Sequence, residues 1–205
     1  MSYKKLLPFL LKSALEQGLY KNEQHPTSRP HIIFSVENPL YEANLEMSHE
    51  DALNHFRSKG YPTHHIVGNY GGAKENAIMI ENPSKKAAHA ILRMARGLGQ
   101  ESIIYSDGKG NHELHYVNGP KQGKHYKGYG TNLPTHPPDS NYSIMEDGSV
   151  FSHNFDFGTE HSHDKSMIKM NEDEMKKSEK TDKDVYIPQK IAKSEIRAKI
   201  PLIHY

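Results

Sequence analysis

The stretch Gly68-Asn-Tyr-Gly-Gly-Ala-Lys-Glu75-Asn-Ala-Ile-Met-Ile80 decides the predicted fold, because it joins a glycine turn to a short apolar strand. A second stretch, Gly97-Leu-Gly-Gln100-Glu-Ser-Ile-Ile104, repeats this arrangement after an intervening helical segment. The central glycine pair of the first stretch suits a tight turn, so the residues on either side are predicted to form a hairpin. The two stretches together locate the predicted core of the protein.

Outward from these turns, apolar patterning predicts further strands and two helices. Ser48 and Ser84 are placed to cap the helices, which glycines terminate at residue 60 and from residue 97. Segments rich in β-branched or alternating apolar residues predict strands at 31–36, 64–70, 76–80, 102–105 and 112–117. The order β-α-β-β-α-β with an extra strand indicates an α+β fold, a small split-βαβ, ferredoxin-like sheet with helices on one face.

The chain is predicted to divide into four parts. Residues 1–20 hold an amphipathic N-terminal helix, and residues 31–118 form the α+β core domain. Residues 119–163 form an irregular, loop-rich segment that contains histidines and one small hairpin around a central Asp-Gly pair. Residues 164–205 mix lysine with acidic residues and form an extended polar C-terminal arm.

The end of this arm carries a candidate partner-binding stripe. Ala192, Ile196 and Ile200 share one face at helical spacing, and a proline follows them. A short apolar stripe after a polar tether is suited to docking on a protein partner or assembly. The alternative, a helix folded back onto its own domain, fits the same pattern.

Composition excludes several classes of function. The chain has no cysteine, so disulfides, thiolate metal sites and cysteine nucleophiles are impossible. Lys plus Arg number 26 and Asp plus Glu number 25, a balance that argues against a nucleic-acid partner. No segment approaches the roughly 20 apolar residues that span a bilayer, so a soluble, cytoplasmic protein without a membrane partner is expected.

Glu75, Gln100 and Tyr70 are the candidate catalytic residues. Each lies at the end of a predicted strand, so the three could converge at one edge if their strands are neighbours in the sheet. A carboxylate there could act as a base or a metal ligand. The alternative is structural, with Glu75 and Gln100 satisfying backbone groups at the strand ends and fixing the turns.

The histidine-rich residues 152–164 hold the candidate metal ligands. Imidazole and carboxylate groups at this density can bind zinc or another divalent ion. The spacing matches no metalloenzyme signature, so a bound divalent ion and no ion at all both remain open. The candidate ligands are His153, Asp156, His161 and His163.

Two motifs resemble those of a family of small, uncharacterised bacterial and phage proteins. They are Gly71-x-x-x-Glu75 and Gly99-Gln100-Glu-Ser-Ile-Ile104. That family pairs a glycine-rich turn and a glutamate with a later Gly-Gln before a strand. The resemblance covers about residues 31–117, with Glu75, Gly99 and Gln100 as the matched positions. It implies a phage or prophage setting, in a virion or in the host cytoplasm, and implies no activity.

From the sequence we expect a non-enzymatic structural or interaction protein, phage- or virion-associated, that docks on a partner through its C-terminal arm. One alternative is a small metal-dependent hydrolase or nuclease that uses the histidine-rich segment or Glu75. Another is an inhibitor of a host protein. No complete catalytic signature is present, and a Ser-His-Asp type of arrangement could arise only between residues distant in sequence.

Overall fold

The computed structural model of the protein describes residues 25–37, 39–70, 73–139 and 141–169. Within these ranges the chain forms eight strands and two α-helices. The helices are α1 (His49–Ser58) and α2 (Lys85–Gly97). The strands are β1 (His31–Ser35), β2 (Thr63–Tyr70), β3 (Ala73–Glu81), β4 (Ser102–Ser106), β5 (Asn111–Tyr116), β6 (Lys124–Asn132), β7 (Tyr142–Met145) and β8 (Val150–Ser162).

The strands close into one antiparallel barrel in the order β1-β3-β2-β7-β8-β6-β5-β4, and β4 pairs with β1 to complete the ring. The predicted α+β, split-βαβ, ferredoxin-like sheet is therefore wrong. Strands β4, β1, β3 and β2 do lie side by side, as the prediction requires. However, β4 and β2 are not edge strands, because each pairs with a further strand on its other side. Strands β5, β6, β8 and β7 join β4 to β2, and within the described residues two short α-helices accompany eight strands.

The error lies mainly in the segment that the sequence indicated to be irregular. Strand β6 is rich in glycine and polar residues, and this composition is typical of loops. In the structure β6 is one of the strands that form the barrel, and it pairs with β5 on one side and β8 on the other. The predicted hairpin in this segment is confirmed, since β7 pairs with the start of β8.

The helices cover the outer face of β1, β3 and β4. Ile32 and Ile78 alternate outward along their strands and pack against Phe56 of α1 and Ile91 of α2. The predicted N-caps are confirmed, because the Ser48 and Ser84 hydroxyls each accept a hydrogen bond from a backbone N–H of the first turn, at 3.1 Å. This outer packing forms the larger apolar core of the protein.

The barrel interior has an apolar middle between two polar ends. Apolar side chains from seven strands meet in the middle of the barrel. Because side chains alternate between the two faces of a strand, the side chains two residues before and after these apolar residues also point into the barrel. The polar side chains at each end of the strands therefore face one another across the barrel. The interior cluster comprises Ile33, Ile66, Ala77, Met79, Ile104, Met145 and Phe151, with Leu114 and Phe155 packed against it.

The first residues of the predicted C-terminal arm lie on the barrel itself. Ile168 is fully buried in the outer core, and the His89 Nε2 donates to its carbonyl at 2.7 Å. The predicted helix at 1–20 and the stripe Ala192, Ile196 and Ile200 lie outside the described residues, so both remain predictions. In the part of the chain that the structure describes, no helix has the length and apolar character to cross a membrane.

Candidate functional site

Three histidines from three strands meet at one polar end of the barrel. His31, His112 and His153 share the inward faces of β1, β5 and β8 with Ile33, Leu114 and Phe151, respectively. The ring centroids of His31 and His153 are 5.2 Å apart, and those of His112 and His153 are 4.1 Å apart. These three residues are called the inner histidine group.

A hydrogen-bonded chain fixes where His31 and His153 carry their protons. His31 Nδ1 lies 2.7 Å from the Arg29 carbonyl, which can only accept, so Nδ1 carries the proton. In neutral His31 the Nε2 must then accept, and its partner at 3.0 Å is His153 Nε2. His153 therefore donates from Nε2 and has its lone pair at Nδ1, 3.2 Å from the Thr131 hydroxyl oxygen.

His112 extends the chain from the other side of Thr131. Its Nε2 lies 3.4 Å from the Thr131 Oγ1, and its Nδ1 lies 3.1 Å from the Ser106 hydroxyl oxygen. The Thr131 hydroxyl thus lies between two imidazoles. Cross-strand pairing explains this position, because Thr131 on β6 lies directly opposite His153 on β8.

Burial keeps these imidazoles neutral. It lowers the pKa of His31 to about 4, against an ordinary value of 6.5. Burial also lowers the pKa of His153 well below 6.5, with the neighbouring His31 and His112 adding to the effect, and it lowers the pKa of His112. Near neutral pH each ring therefore has one N–H and one lone pair.

The residues of this group and the neighbouring Thr131 differ in exposure. His31 and His112 are at most 1% exposed, whereas His153 and Thr131 are half-buried. Thr131 and His153 therefore lie nearer the protein surface than His31 and His112 do.

A buried carboxylate borders the inner histidine group. Glu81 on β3 is paired across strands with His31, and it faces the interior as Met79 does. It accepts hydrogen bonds from Arg29 at 2.7 Å and from His64 at 2.6 Å. Glu81 is 2% exposed, so these two donors compensate a charge that water cannot solvate.

The opposite polar end of the barrel holds two of the sequence-predicted catalytic residues. The Tyr70 hydroxyl lies 3.0 Å from the hydroxyl of the buried Ser143, and a Cβ on Gly68 would lie 2.6 Å from the Tyr70 ring. The ring therefore covers the glycine. Burial raises the pKa values of Tyr70 and Glu75, and the Glu75 charge also contributes to the Tyr70 shift.

The third candidate, Gln100, has a backbone partner. It is 5% exposed, and its amide donates at 2.8 Å to the Glu37 carbonyl. Glu37 in turn lies near Glu75, whose pKa it raises after the larger effect of burial. The Glu75 charge thus influences the Tyr70 hydroxyl electrostatically, while the Gln100 amide satisfies a backbone carbonyl.

The sequence-predicted metal ligands do not form one group. His153 contacts His31 and His112 inside the barrel, while His161 contacts His125 outside it. Asp156 is exposed and accepts a hydrogen bond from the Gly158 backbone N–H at 2.8 Å. His163 lies beside His89 and His115.

A bulge in β8 separates these histidines. Tyr126 pairs with Glu160 and Gly128 pairs with Phe155, so residues 156–159 lie opposite a single residue of β6. Extra residues on one strand change which face the following side chains occupy. Position 128 is glycine because a Cβ there would clash with the Asn154 carbonyl. His153 and His161 therefore lie on opposite faces of the barrel wall.

A second set of histidines surrounds Glu113 on the outer face and is called the outer histidine group. Its members are His89, His115, His125, His161 and His163. Glu113 is fully buried and accepts hydrogen bonds from His115 Nε2 at 3.0 Å, Ser166 Oγ at 2.8 Å and the Met167 backbone N–H at 3.0 Å. Burial raises the Glu113 pKa, but these donors and the nearby imidazoles outweigh it and lower the pKa overall.

The described part of the chain contains no group of three or more His, Asp or Glu side chains with geometry suited to a metal ion.

The sequence did not reveal the contacts of the inner histidine group, because residues that are distant in the chain make them. His31 and His153 are 122 positions apart, and Thr131 and His153 are 22 apart. One feature of the sequence could have indicated these residues. His31 and His112 are polar residues that each lie two positions from an apolar side chain in the barrel interior, so they share its inward face.

Comparison with models of known protein families gave no match for this chain. A search of curated proteins also gave no significant match. The resemblance of Glu75, Gly99 and Gln100 to phage-protein motifs therefore remains a prediction. The case for a function rests on the geometry of the inner histidine group.

Proposed function

We propose that the protein is an acyl-transfer enzyme, an esterase in its simplest form, with Thr131 as nucleophile and His153 as general base. The observation that carries this proposal is the contact between the Thr131 hydroxyl oxygen and His153 Nδ1, at 3.2 Å. A nucleophilic hydroxyl, a base within hydrogen-bond reach and a third group that orients the base are the parts that such a site requires.

His31 is the group that orients the base. Its Nε2 lone pair, 3.0 Å from His153 Nε2, accepts the N–H of His153 and so leaves the lone pair of His153 at Nδ1, towards Thr131. The Arg29 carbonyl holds His31 in the tautomer that this role needs. The orienting group is neutral, so it fixes the tautomer and ring position without placing a full charge beside the imidazolium that forms.

The reaction follows from these positions. Thr131 Oγ1 attacks the carbonyl carbon of an ester and forms a new C–O bond, while His153 Nδ1 takes the hydroxyl proton. The protonated His153 then donates that proton to the departing alcohol as its C–O bond breaks. Water, deprotonated by His153, then attacks the acyl-threonine, and His153 returns the proton to Thr131 Oγ1 as the acyl C–O bond breaks, which releases the acid and restores both residues.

Steady-state and burst kinetics with p-nitrophenyl acetate test this function. We expect hydrolysis with a burst of p-nitrophenolate, and we expect Thr131→Val, which keeps the shape but removes the hydroxyl, to abolish the burst. Thr135→Val is the matched control, because the Thr135 hydroxyl also contacts a histidine, His136 Nδ1 at 3.1 Å, but at an exposed position. Equal activity in the wild-type protein and the Thr131 variant would refute the function.

A further inference from the structure

His112 is the member of the inner histidine group that the proposed reaction leaves without a role. It is 1% exposed, and both of its ring nitrogens have partners. A buried imidazole with specified partners on both sides has a fixed proton position, and that position decides what the ring offers to its neighbour.

The partners of His112 place its proton on Nε2. The single hydrogen of the Thr131 hydroxyl goes to the lone pair of His153 Nδ1, 3.2 Å away. Towards His112 Nε2, at 3.4 Å, Thr131 Oγ1 can then only accept. His112 Nε2 therefore carries the proton and directs it at Thr131.

The other nitrogen of His112 has a partner that can donate to it. The Ser106 hydroxyl lies 3.1 Å from Nδ1, and its oxygen accepts the Gly108 backbone N–H at 3.2 Å. With that acceptor function engaged, the Ser106 hydroxyl is free to donate its hydrogen to Nδ1. Ser106 is fully buried, so water does not compete for this contact.

We infer that His112 is a positioning residue that donates its Nε2–H to Thr131 Oγ1 and fixes the direction of the Thr131 hydroxyl hydrogen. With one lone pair engaged by His112, the hydroxyl donates to His153 Nδ1 and keeps its second lone pair for attack. His112 stays neutral throughout and transfers no proton. Ser106 maintains the tautomer of His112. This role rests on the proposed function, but the proton position does not.

The tautomer can be measured without any turnover. Long-range ¹H–¹⁵N spectra of the full chain report which ring nitrogen carries the proton. We expect His112 to be protonated at Nε2 near neutral pH, and we expect Ser106→Ala to produce a mixture of tautomers. A wild-type His112 protonated at Nδ1 would overturn the inference whatever the role of Thr131.

The kinetic arm compares two replacements of His112. Gln carries an N–H donor at a position similar to Nε2, whereas Leu carries none. We expect His112→Leu to lower kcat for p-nitrophenyl acetate about 100-fold while KM changes little, and His112→Gln to restore most of the loss. Equal losses in both variants would show a purely structural role and overturn the inference.

The two proposals fail in different ways. If Thr131→Val keeps the burst, the proposed function is wrong, and the tautomer measurement still decides the proton position of His112. If Thr131→Val abolishes the burst but His112→Leu keeps the full rate, only the role of His112 is wrong. Should His112→Leu fail to fold, Ser106→Ala and His112→Gln carry the test.

Discussion

The inner and outer histidine groups lie on opposite faces of the same barrel wall and differ in what surrounds them. The inner group is a linear chain in which each imidazole meets another imidazole, a hydroxyl or a carbonyl. The outer group surrounds the buried carboxylate of Glu113, which also receives the Met167 backbone N–H and the Ser166 hydroxyl. Neighbouring residues of β5, His112 and Glu113, thus belong to different environments.

This difference indicates different roles. A carboxylate that accepts several protein donors has no free lone pair directed to a ligand, and its contacts hold residues 166–168 against the barrel. The inner group instead directs the Nδ1 lone pair of His153 at the hydroxyl of Thr131, a residue that is only half-buried. We therefore interpret the outer group as structural and the inner group as chemical, and the predictions below test that division.

The largest expected effect follows from removing the base. His153→Gln should lower kcat/KM for p-nitrophenyl acetate by at least about 100-fold, because Gln cannot take the hydroxyl proton. His125→Gln, in the outer group, should leave the rate close to that of the wild-type protein. Kinetics on both variants, with circular dichroism to confirm folding, make the comparison. Equal losses of rate would erase the distinction between the two groups.

Acid should weaken the fold through the inner group. His31 has a pKa of about 4 in the folded protein and about 6.5 when unfolded, so the unfolded state binds more protons between these values. The stabilisation is complete above pH 6.5 and is lost as the pH falls towards 4, by about 3 kcal/mol for His31.

Urea unfolding across this pH range measures the effect, and the change should be smaller in His31→Gln. Burial also lowers the pKa of His125 to about 4, so the outer group contributes in the same direction and this variant should keep part of the dependence. An unchanged pH dependence in His31→Gln would show that His31 is not held neutral by burial.

In the outer group we expect a change of stability and no change of chemistry. Glu113→Gln keeps the shape of the side chain but loses the charge that its donors compensate, and should reduce the free energy of unfolding by about 2 kcal/mol. Amide hydrogen exchange should become faster at Met167 and Ile168. Glu160→Gln is the control, because Glu160 is exposed and its contact with Lys124 at 3.6 Å is a surface ion pair.

The smallest effect is expected for His161, which the sequence indicated as a metal ligand. Its contact is a tilted ring pairing with His125 at the edge of the outer group, with centroids 5.4 Å apart. His161→Ala should change the free energy of unfolding by only about 0.5 kcal/mol and leave the esterase rate unaltered. A loss of bound metal in this variant, measured by elemental analysis of untagged protein, would contradict that expectation.

Local patterns in the sequence predicted local structure well. The strands β1 to β5, both helices and the caps Ser48 and Ser84 follow from periodicity and capping, which depend on residues near one another in the chain. Closure of the barrel does not, because β2 pairs with β7 across a long stretch of sequence and β6 has the composition of a loop. Long-range pairing of polar strands leaves little trace in a single sequence.

The candidate site was predictable only in part. His153 was singled out, but as a partner of His161 and His163 rather than of His31 and His112. The bulge at residues 156–159 reverses the facing of β8, and no local rule locates it in that sequence. Thr131 lay in a segment predicted to be loop, so a nucleophile opposite His153 could not be inferred before the strand pairing was known.

The most direct test of the chemical role is the site of covalent modification. After brief reaction with p-nitrophenyl acetate near neutral pH and quenching in acid, peptide mass spectrometry should find the acetyl group on Thr131. Thr135, with its exposed histidine partner, should remain unmodified. Acetyl groups confined to lysines or to the outer histidine group, with Thr131 unmodified, would contradict the assignment of the inner histidine group as the reactive site.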